Sequence, residues 1–171
     1  MTATAFHLGK ILGKKYDWAV NAGIAGSFRK NIPLGSVVNV ISDCFADFGA
    51  EDGGKFLTAK EIGLVSGFRF QVSGFRFQNK IIDSLSKVKG VTVNTVHGNT
   101  SSIKKLIKKF NPDVESMEGA AFLLACNYEK TPCIQIRAIS NFVERRNKKK
   151  WKMKLAISNL TGALEKIFGN L

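Results

Sequence analysis

The chain has 171 residues, enough for one domain with a substantial buried core. No apolar run is long enough to span a bilayer, and the first ten residues lack the basic start, apolar core and cleavage site of a signal peptide. A formal net charge of +13 permits binding to nucleic acid or to another anionic surface, but it does not define a fold. We therefore expect a single domain over residues 1–171.

The three cysteines, Cys44, Cys126 and Cys133, are widely spaced and form no CxxC pair. An odd number in this arrangement indicates reduced, buried thiols in a cytosolic protein. The two histidines, His7 and His97, lie far from any cysteine pair, so no zinc site is expected.

The first predicted elements are a helix over residues 2–13 and a short buried strand over 16–21. A turn rich in small residues, 22–27, follows this strand. Glycines at the carboxyl end of a strand allow backbone N–H groups to approach a ligand closely. The turn matches neither the dinucleotide-binding pattern nor the P-loop pattern, so it is weak evidence alone.

A second strand is predicted over 35–45, followed by an acidic loop whose Gly53-Gly54 pair favours a solvated turn over a catalytic carboxylate pair. The heptad VSGFRFQ then occurs twice, at 65–71 and 72–78. Two short copies cannot form a solenoid, so a duplication in a loop or an edge strand is the preferred interpretation. Stacking of its aromatic residues on single-stranded nucleic acid is the alternative.

Residues 91–96 are rich in β-branched side chains and predict a strand, and a polar loop leads from it into a helix. His97, at the end of this strand, is either a general base or, more commonly for a lone histidine, a structural residue. The helix has an apolar face opposite a lysine-rich face, which predicts a solvent-exposed surface. The four lysines of that face are Lys104, Lys105, Lys108 and Lys109.

Two stretches near the middle of the chain place polar groups after predicted strands. Glu115 and Glu118 lie where a short extended segment becomes an apolar helix, and a strand over 131–139 ends in Ser140-Asn141-Phe142. In open α/β sheets, ligands bind beyond the carboxyl ends of strands, so both stretches should face one crevice. A final helix over 151–171 completes an alternation of strands and helices that predicts an α/β domain with a mainly parallel sheet.

Five motifs carry a resemblance through nearly the whole chain: VNAGIAGSF, FADFGAED, TVNTVHG, VESMEGAAF and IRAISNFVERRN. Together they resemble the purine nucleosidase and nucleoside phosphorylase superfamily, and within it most closely the futalosine hydrolases, enzymes of a menaquinone pathway. The last two motifs are the specific ones. The resemblance implies a three-layer α/β/α fold around a twisted mixed sheet, and a homo-oligomer that binds a small purine nucleoside.

The resemblance also implies a sugar site. Ser116, Met117 and Glu118 would contact the substrate, with Met117 against the ribose and Glu118 accepting hydrogen bonds from the ribose hydroxyls. A carboxylate has two acceptor oxygens and can bind both hydroxyls of a vicinal diol. Without the resemblance, Glu118 would be interpreted as a first-turn carboxylate that complements the helix dipole. The backbone of residues 24–26 (Ile24, Ala25, Gly26) would line the opposite wall.

Asn141 falls where the adenine-specific nucleosidases of this superfamily carry an aspartate. An amide presents one donor and one acceptor, which matches a 6-oxopurine such as hypoxanthine rather than adenine. The alternative is an asparagine that caps the end of a strand. The implied chemistry is cleavage of the bond between ribose and base through an oxocarbenium-like state, with Asn141 stabilising the departing purine. The resemblance implies no cofactor and no metal.

Two other functions stay open at this stage. A phosphorylase acting on 6-oxopurine nucleosides would need an arginine for phosphate, and the direction of Arg137 on its strand is not evident from the sequence. A basic, non-catalytic nucleic-acid-binding domain would explain the charge, but no recognised nucleic-acid-binding signature accompanies it.

The start of the sequence departs from the superfamily pattern. Members begin with a strand and a loop that carry a water-activating carboxylate, and this sequence starts after both. A general base contributes on the order of a hundredfold or more in rate. We therefore expect weak or absent hydrolysis by residues 1–171, together with an exposed apolar face.

Overall fold

The computed structural model describes residues 1–12, 16–65, 69–72 and 79–169, and every statement about structure below refers to these residues. In chain order the elements are α1 (Thr2–Ile11), β1 (Ala19–Ser27), β2 (Val37–Asp43), β3 (Gly49–Asp52), β4 (Lys55–Thr58), β5 (Phe70–Gln71), α2 (Lys80–Ser84), β6 (Ser86–Thr92), α3 (Thr100–Phe110), β7 (Val114–Ser116), α4 (Gly119–Tyr128), β8 (Cys133–Phe142), a short 3₁₀ helix (Lys148–Lys150) and α5 (Met153–Phe168).

The main sheet has the order β5-β2-β6-β7-β1-β8, and β8 pairs again with β2, so that five of its strands close into a ring. The β1–β8, β2–β6 and β6–β7 pairs are parallel, whereas β1–β7, β2–β5 and β2–β8 are antiparallel. The sheet is therefore mixed, as the resemblance implied, rather than mainly parallel. The remaining two strands, β3 and β4, form a separate hairpin.

Helices cover both faces of β8, which confirms the three-layer α/β arrangement. On one side, Cys133 packs with Phe122, Leu123 and Cys126 of α4, and Leu8 of α1 lies against this cluster. On the other side, the alternate residues Ile134, Ile136 and Ala138 pack against Ala156, Leu160 and Ile167 of α5. A strand buried on both faces needs a nearly continuous apolar run, and residues 133–140 are all buried.

Two of the predicted strands are displaced along the chain. The turn expected over 22–27 is strand, because β1 pairs in parallel with β8 along its whole length. Its glycines serve close packing instead: a Cβ at Gly23 would overlap the Arg137 guanidinium, and one at Gly26 would lie 3.1 Å from Asn141 Nδ2. The strand predicted over 91–96 is also displaced. It runs over Ser86–Thr92, where it pairs with β2, and Asn94 lies outside it.

Other predicted segments fall as expected or outside the described residues. Gly53 and Gly54 both have positive φ and form the turn between β3 and β4. Most of the duplicated heptad, residues 66–68 and 73–78, lies outside the described residues, while Phe70–Gln71 forms an edge strand against β2. The short helix α2 was not predicted.

All three cysteines are buried and none forms a disulfide. Within the described residues, no cluster of three or more potential metal ligands occurs. None of the helices in the described part of the chain is both long enough and apolar enough to cross a membrane.

Several large apolar side chains of the described residues are exposed to solvent. Phe6 and Ile11 of α1 are more than half exposed, and Ile41 of β2 is 38% exposed. In addition, residues 19–25 of β1 pair with β8 on one side, while β7 pairs only with Gly26 and Ser27 on the other. The described residues thus leave part of the β1 edge without a neighbouring strand.

Candidate active site

A cavity of about 540 Å³ lies at the carboxyl ends of β1 and β8, within the range typical of small-molecule sites. We call it the basic cavity because its wall carries six lysine and arginine side chains. Its lining residues that matter below are Gly26, Lys30, His97, Glu115, Asn141, Glu144, Arg145, Arg146, Lys149, Lys150, Trp151 and Lys152.

Asn141 reaches this cavity through an irregularity in β8. Between Ala25 and Gly26 the register with β1 shifts by one residue, so that Ala25 faces Ile139 while Gly26 faces Asn141. The extra residue, Ser140, interrupts the alternation of faces along β8. Asn141 consequently does not share the face of the sheet that carries Arg137, and it lies beside Gly26. Such bulges are frequent next to active sites because they redirect a side chain.

Two hydrogen bonds orient the Asn141 amide. Its Oδ1 accepts from Ser140 Oγ at 2.8 Å, and its Nδ2 donates to the Phe142 carbonyl at 3.1 Å. An amide oxygen has two lone pairs and an amide nitrogen has two hydrogens. One acceptor position and one donor position therefore remain after both internal bonds are made.

The second polar group of the cavity is a carboxylate–imidazole pair. Glu115, 5% exposed, accepts from the His97 backbone N–H at 3.0 Å, and its other oxygen lies 2.5 Å from His97 Nδ1. The two residues meet because β6 and β7 are parallel neighbours and His97 follows the end of β6. With Nδ1 bound to Glu115, Nε2 is the ring nitrogen of His97 that is left for a ligand.

Glu118, in contrast, lines a different cavity. This cavity, which we call the helix groove, lies between α1, the start of β1 and the start of α4, with Leu8, Trp18 and Phe122 among its lining residues. The Glu118 side chain is 43% exposed and makes no capping hydrogen bond at the start of α4. Its Oε2 lies 3.6 Å from Arg137 Nη2, so it forms a loose ion pair with this residue.

Arg137 is the most buried cation near this groove. The residue is 2% exposed, and its Nε and Nη2 atoms have no hydrogen-bond partner within the described residues. Burial lowers the pKa of Arg137, while the nearby charges of Glu118 and Asp43 act in the opposite direction. The fold thus holds a poorly solvated charge directly behind Glu118.

Asp43 lies at the centre of a buried polar network that includes Arg137. Its two oxygens accept from Gln135 Nε2 and Thr92 Oγ1, each at 2.9 Å, and Thr92 Oγ1 in turn accepts from the Ala120 N–H of α4. Burial raises the pKa of Asp43 to about 6, although the hydrogen bonds from Gln135 and Thr92 and the charge of Arg137 oppose the shift. This network fixes the start of α4 against β2, β6 and β8.

The structure places the predicted site residues in three surroundings. Gly26 and Asn141 line the basic cavity, whereas Glu118 lines the helix groove and Met117 is 38% exposed at the turn before α4. The three others are packed inside the protein: Ile24 against the α5 cluster, Ala25 within the strand ring, and Ser116 beneath the α4 terminus, where its Oγ accepts from Gly119 N–H at 3.4 Å. The single crevice expected for Glu118 and Asn141 is thus not one cavity in the described residues.

Sequence reasoning assigned no role to Glu115 and left His97 undecided. The sequence offered one usable signal: Glu115 lies within a predicted extended segment and His97 follows a predicted strand. In the structure these strands, β7 and β6, are parallel neighbours. That adjacency is a property of strand order, which the sequence does not display. Asp43 was missed and the direction of Arg137 was left open for a similar reason, because their burial depends on which face of each strand points inward.

The geometry is consistent with comparisons to known proteins. Residues 2–169 match the family model described as the phosphorylase superfamily. The chain belongs to this superfamily. The nucleic-acid-binding hypothesis from the net charge is accordingly less favoured than a small-molecule site.

Curated relatives and solved structures agree with this assignment. The chain is 29% identical to the futalosine hydrolase of Streptomyces coelicolor over 163 residues, 91% of this chain. It is 28% identical to the futalosine hydrolase of Thermus thermophilus over 151 residues, 85% of this chain. The matches cover 66% of each relative, so the chain spans slightly less than two thirds of their length.

Solved structures share the fold. The native futalosine hydrolase of Helicobacter pylori superposes with a TM-score of 0.77 at 17% identity, covering 99% of this chain and 76% of that one. The 5′-methylthioadenosine/S-adenosylhomocysteine nucleosidase of Neisseria meningitidis, solved with methylthio-immucillin-A, gives 0.76 at 19% identity, covering 99% of this chain and 77% of that one.

Proposed function

We propose that this protein hydrolyses the N-glycosidic bond of futalosine, releasing hypoxanthine and dehypoxanthine futalosine in menaquinone biosynthesis. The observation that carries the proposal is the pre-oriented amide of Asn141 beside Gly26, in a cavity that also contains the Glu115–His97 pair. The superfamily membership and the futalosine hydrolase relatives support the choice of reaction. A cytoplasmic location and a homo-oligomeric state remain predictions.

The amide at position 141 supports a 6-oxopurine as the leaving group. Its one remaining acceptor position and one remaining donor position suit the N–H and the carbonyl that hypoxanthine presents. Adenine would be favoured by an acid that protonates the ring, which an amide cannot do. Hydrogen bonds to the departing base stabilise the charge that develops as the glycosidic bond breaks.

We assign a proton-transfer role to His97. As the bond between C1′ and the purine breaks, its electron pair goes to the base, and the His97 imidazolium gives a proton to that base. Water adds to C1′ and releases one proton to solvent, so atoms and charge balance. Glu115 supports this role because a carboxylate on Nδ1 stabilises the imidazolium and fixes its orientation.

Glu118 would bind the ribose of the substrate. Partial exposure leaves its carboxylate oxygens accessible to two ribose hydroxyls, and Arg137 flanks it. Asn141 lies four residues after Arg137 in β8, a span of about 13 Å at the usual rise of a strand. A nucleoside would have to reach from one group to the other, and a crystal structure with a bound nucleoside would reveal whether it does.

A purine nucleoside phosphorylase is the second candidate, and the environment of Arg137 favours it. In the described part of the chain, two nitrogens of this buried guanidinium have no hydrogen-bond partner, and they lie near the carboxylate proposed to bind the sugar. Such nitrogens suit a phosphate oxygen. In this reaction phosphate, not water, would attack C1′. Dependence of the rate on phosphate separates the two functions.

The test is product analysis by mass spectrometry with futalosine, inosine and 5′-methylthioadenosine, each with and without phosphate. When phosphate is absent, we expect futalosine to be cleaved to hypoxanthine and dehypoxanthine futalosine, and we expect no cleavage of methylthioadenosine. Asn141→Ala should reduce futalosine cleavage on the order of 10²-fold, because it removes both hydrogen bonds to the base. Asn141→Asp, nearly equal in size, should shift the preference toward the adenine nucleoside.

Either of two results would overturn the proposal: cleavage that rises in proportion to phosphate, or equal cleavage of futalosine and methylthioadenosine. Circular dichroism of both Asn141 variants serves as the control for folding, because Ser140 and Phe142 lose an internal partner in Asn141→Ala.

A further inference from the structure

His97 lies in a short irregular segment between β6 and α3, and we call residues 94–97 the His97 turn. None of these four residues belongs to a helix or a strand. Backbone N–H groups in such a segment have to find acceptors outside the regular hydrogen-bond ladders. The His97 turn finds them in two carboxylates that come from different parts of the sheet.

Asp47 binds the first half of the turn. One of its oxygens accepts from the backbone N–H groups of Asn94 at 2.5 Å and Thr95 at 3.4 Å, and the other accepts from Asn94 Nδ2 at 3.2 Å. Glu115 binds the second half through the His97 backbone N–H at 3.0 Å and the His97 ring. The backbone that carries His97 is therefore held by a carboxylate at each end.

Asp47 reaches the turn because the chain after β2 continues alongside the end of β6. Phe45 forms a parallel bridge with Thr92, and the Ala46 N–H donates to the Thr92 carbonyl at 2.9 Å. Asp47 is the next residue, so its side chain meets the chain that leaves β6. The acidic segment after β2 thus contains more than the turn at residues 53–54 that the sequence predicts.

The position of Asp47 excludes a direct contact with a ligand in the basic cavity. In the described residues, the wall of this cavity includes Val96 and His97 of the turn but not Asp47, whose side chain is exposed on the outer side. Any influence of Asp47 on a reaction in the cavity must therefore pass through the backbone of the turn.

From this geometry we propose that Asp47 is a positioning residue, which holds the His97 turn so that the imidazole faces the departing base. The inference rests on the proposed function, in which His97 gives a proton to the purine. A proton donor works only within hydrogen-bond reach of its acceptor. A misplacement of about 1 Å can cost as much as 10²-fold in rate, even when its origin is remote from the reacting atoms.

The first experiment measures futalosine cleavage by three single variants without phosphate. Asp47→Ala removes both acceptor oxygens, so kcat should fall about tenfold while KM changes less than about twofold, because the cavity wall keeps its ligand contacts. Asp47→Asn keeps an amide oxygen for the two backbone donors, and its kcat should stay within about threefold of the wild type. Asp52→Ala removes the same charge from the exposed end of β3 and should leave kcat unchanged.

A double variant separates positioning from general support of the fold. Asp47→Ala combined with Glu115→Gln should lower kcat no further than Glu115→Gln alone, because His97 no longer gives up a proton in that background. A residue that only stabilised the fold would lower kcat by the same factor in both backgrounds.

Hydrogen exchange measured by NMR provides a readout that does not depend on activity. The His97 backbone N–H should exchange faster in Asp47→Ala than in the wild type, because the turn is then held at one end only. The Ala120 N–H, which donates to Thr92 Oγ1 in the buried network, should keep its exchange rate.

The outcomes separate failure of the inference from failure of the function. Three results would overturn the inference alone: an Asp47→Ala variant as active as Asp52→Ala, no rescue by Asp47→Asn, or equal losses of kcat with and without Glu115→Gln. Absence of nucleoside cleavage by the wild type would overturn the proposed function. The exchange rates would then decide whether Asp47 holds the turn, and equal His97 rates in the wild type and Asp47→Ala would refute that as well.

Discussion

The two cavities contain carboxylates that are three residues apart in sequence and opposite in environment. In the basic cavity, Glu115 is buried and both of its oxygens are bound by His97. In the helix groove, Glu118 is partly exposed, and its neighbour Arg137 is buried with two nitrogens that find no hydrogen-bond partner among the described residues. Both oxygens of Glu115 are thus hydrogen-bonded in the first pair, whereas the Glu118–Arg137 pair leaves two guanidinium nitrogens without a hydrogen-bond partner in the described residues. The comparison shows that the fully hydrogen-bonded carboxylate lines the basic cavity, whereas the guanidinium without hydrogen-bond partners is buried beside the carboxylate of the helix groove.

The largest expected effect concerns the satisfied pair. Glu115→Gln should lower kcat/KM for futalosine on the order of 10²- to 10³-fold, because the new side-chain amide would donate to His97 Nδ1 and stop the ring from carrying a second proton. The His97 backbone N–H keeps an amide oxygen as its acceptor, so the loop should stay in place.

The pH dependence of the rate distinguishes this role from a structural one. The pH profiles of the wild type and of Glu115→Gln should differ in shape, because only the wild type has a carboxylate on His97 Nδ1. Two profiles of the same shape, one merely scaled down, would mean that Glu115 only supports the loop.

The second prediction tests the buried network behind the groove. Asp43 has a folded-state pKa of about 6, above its unfolded value of 3.8. The contribution of Asp43 to stability is therefore fully present below pH 3.8 and is lost as the pH rises through 6. A shift of this size corresponds to about 3 kcal/mol.

Asp43→Asn removes the titration while keeping the shape of the side chain. Urea unfolding between about pH 4 and pH 7 should show the free energy of unfolding of the wild type falling, relative to the variant, by about 3 kcal/mol. Parallel curves for the two proteins would show that Asp43 stays ionised throughout, and the contrast between the two cavities would then rest on Arg137 alone.

Features that depend on residues close together in the sequence could be predicted, whereas contacts between residues far apart in the sequence could not. The helix around Phe122, the β8 core and the position of Asn141 at a strand end follow from local patterns in the sequence. The role of Glu118 required the resemblance, because a glutamate at the start of a helix is compatible with a purely structural role. The separation of Glu118 from Asn141 was not foreseeable, since it depends on the one-residue bulge at Ser140.

The contact between Glu115 and His97 could not be predicted from the sequence either. The two residues are 18 positions apart and meet only because β6 and β7 pair in parallel. The direction of Arg137 likewise depends on strand parity and on the space left by Gly23. Strand order and register are settled by packing across the whole sheet, so single-sequence patterns do not contain them.

The smallest expected effect, and the one whose sign is most informative, comes from Arg137. Replacement by methionine removes a buried charge, together with two nitrogens that lack a partner within the described residues, while keeping much of the side-chain volume. We expect Arg137→Met to raise the free energy of unfolding by about 1–2 kcal/mol at about pH 5, where Asp43, with its pKa of about 6, is largely protonated and is not left as an unpaired buried charge. The variant should at the same time weaken nucleoside cleavage, because Glu118 loses the cation that orients it.

Arg29 provides the matched control. Its Nε donates to Asp113 at 3.0 Å and its Nη2 donates to Asn111 at 2.6 Å, so its guanidinium is satisfied where that of Arg137 is not. Arg29→Met should therefore lower stability by about 0.5–1 kcal/mol, with no specific effect on cleavage. Opposite signs in chemical denaturation would establish that Arg137 is retained at the expense of stability. If both variants were destabilised alike, the buried guanidinium would have to be counted as an ordinary structural group, and the helix groove would lose its distinction from the basic cavity.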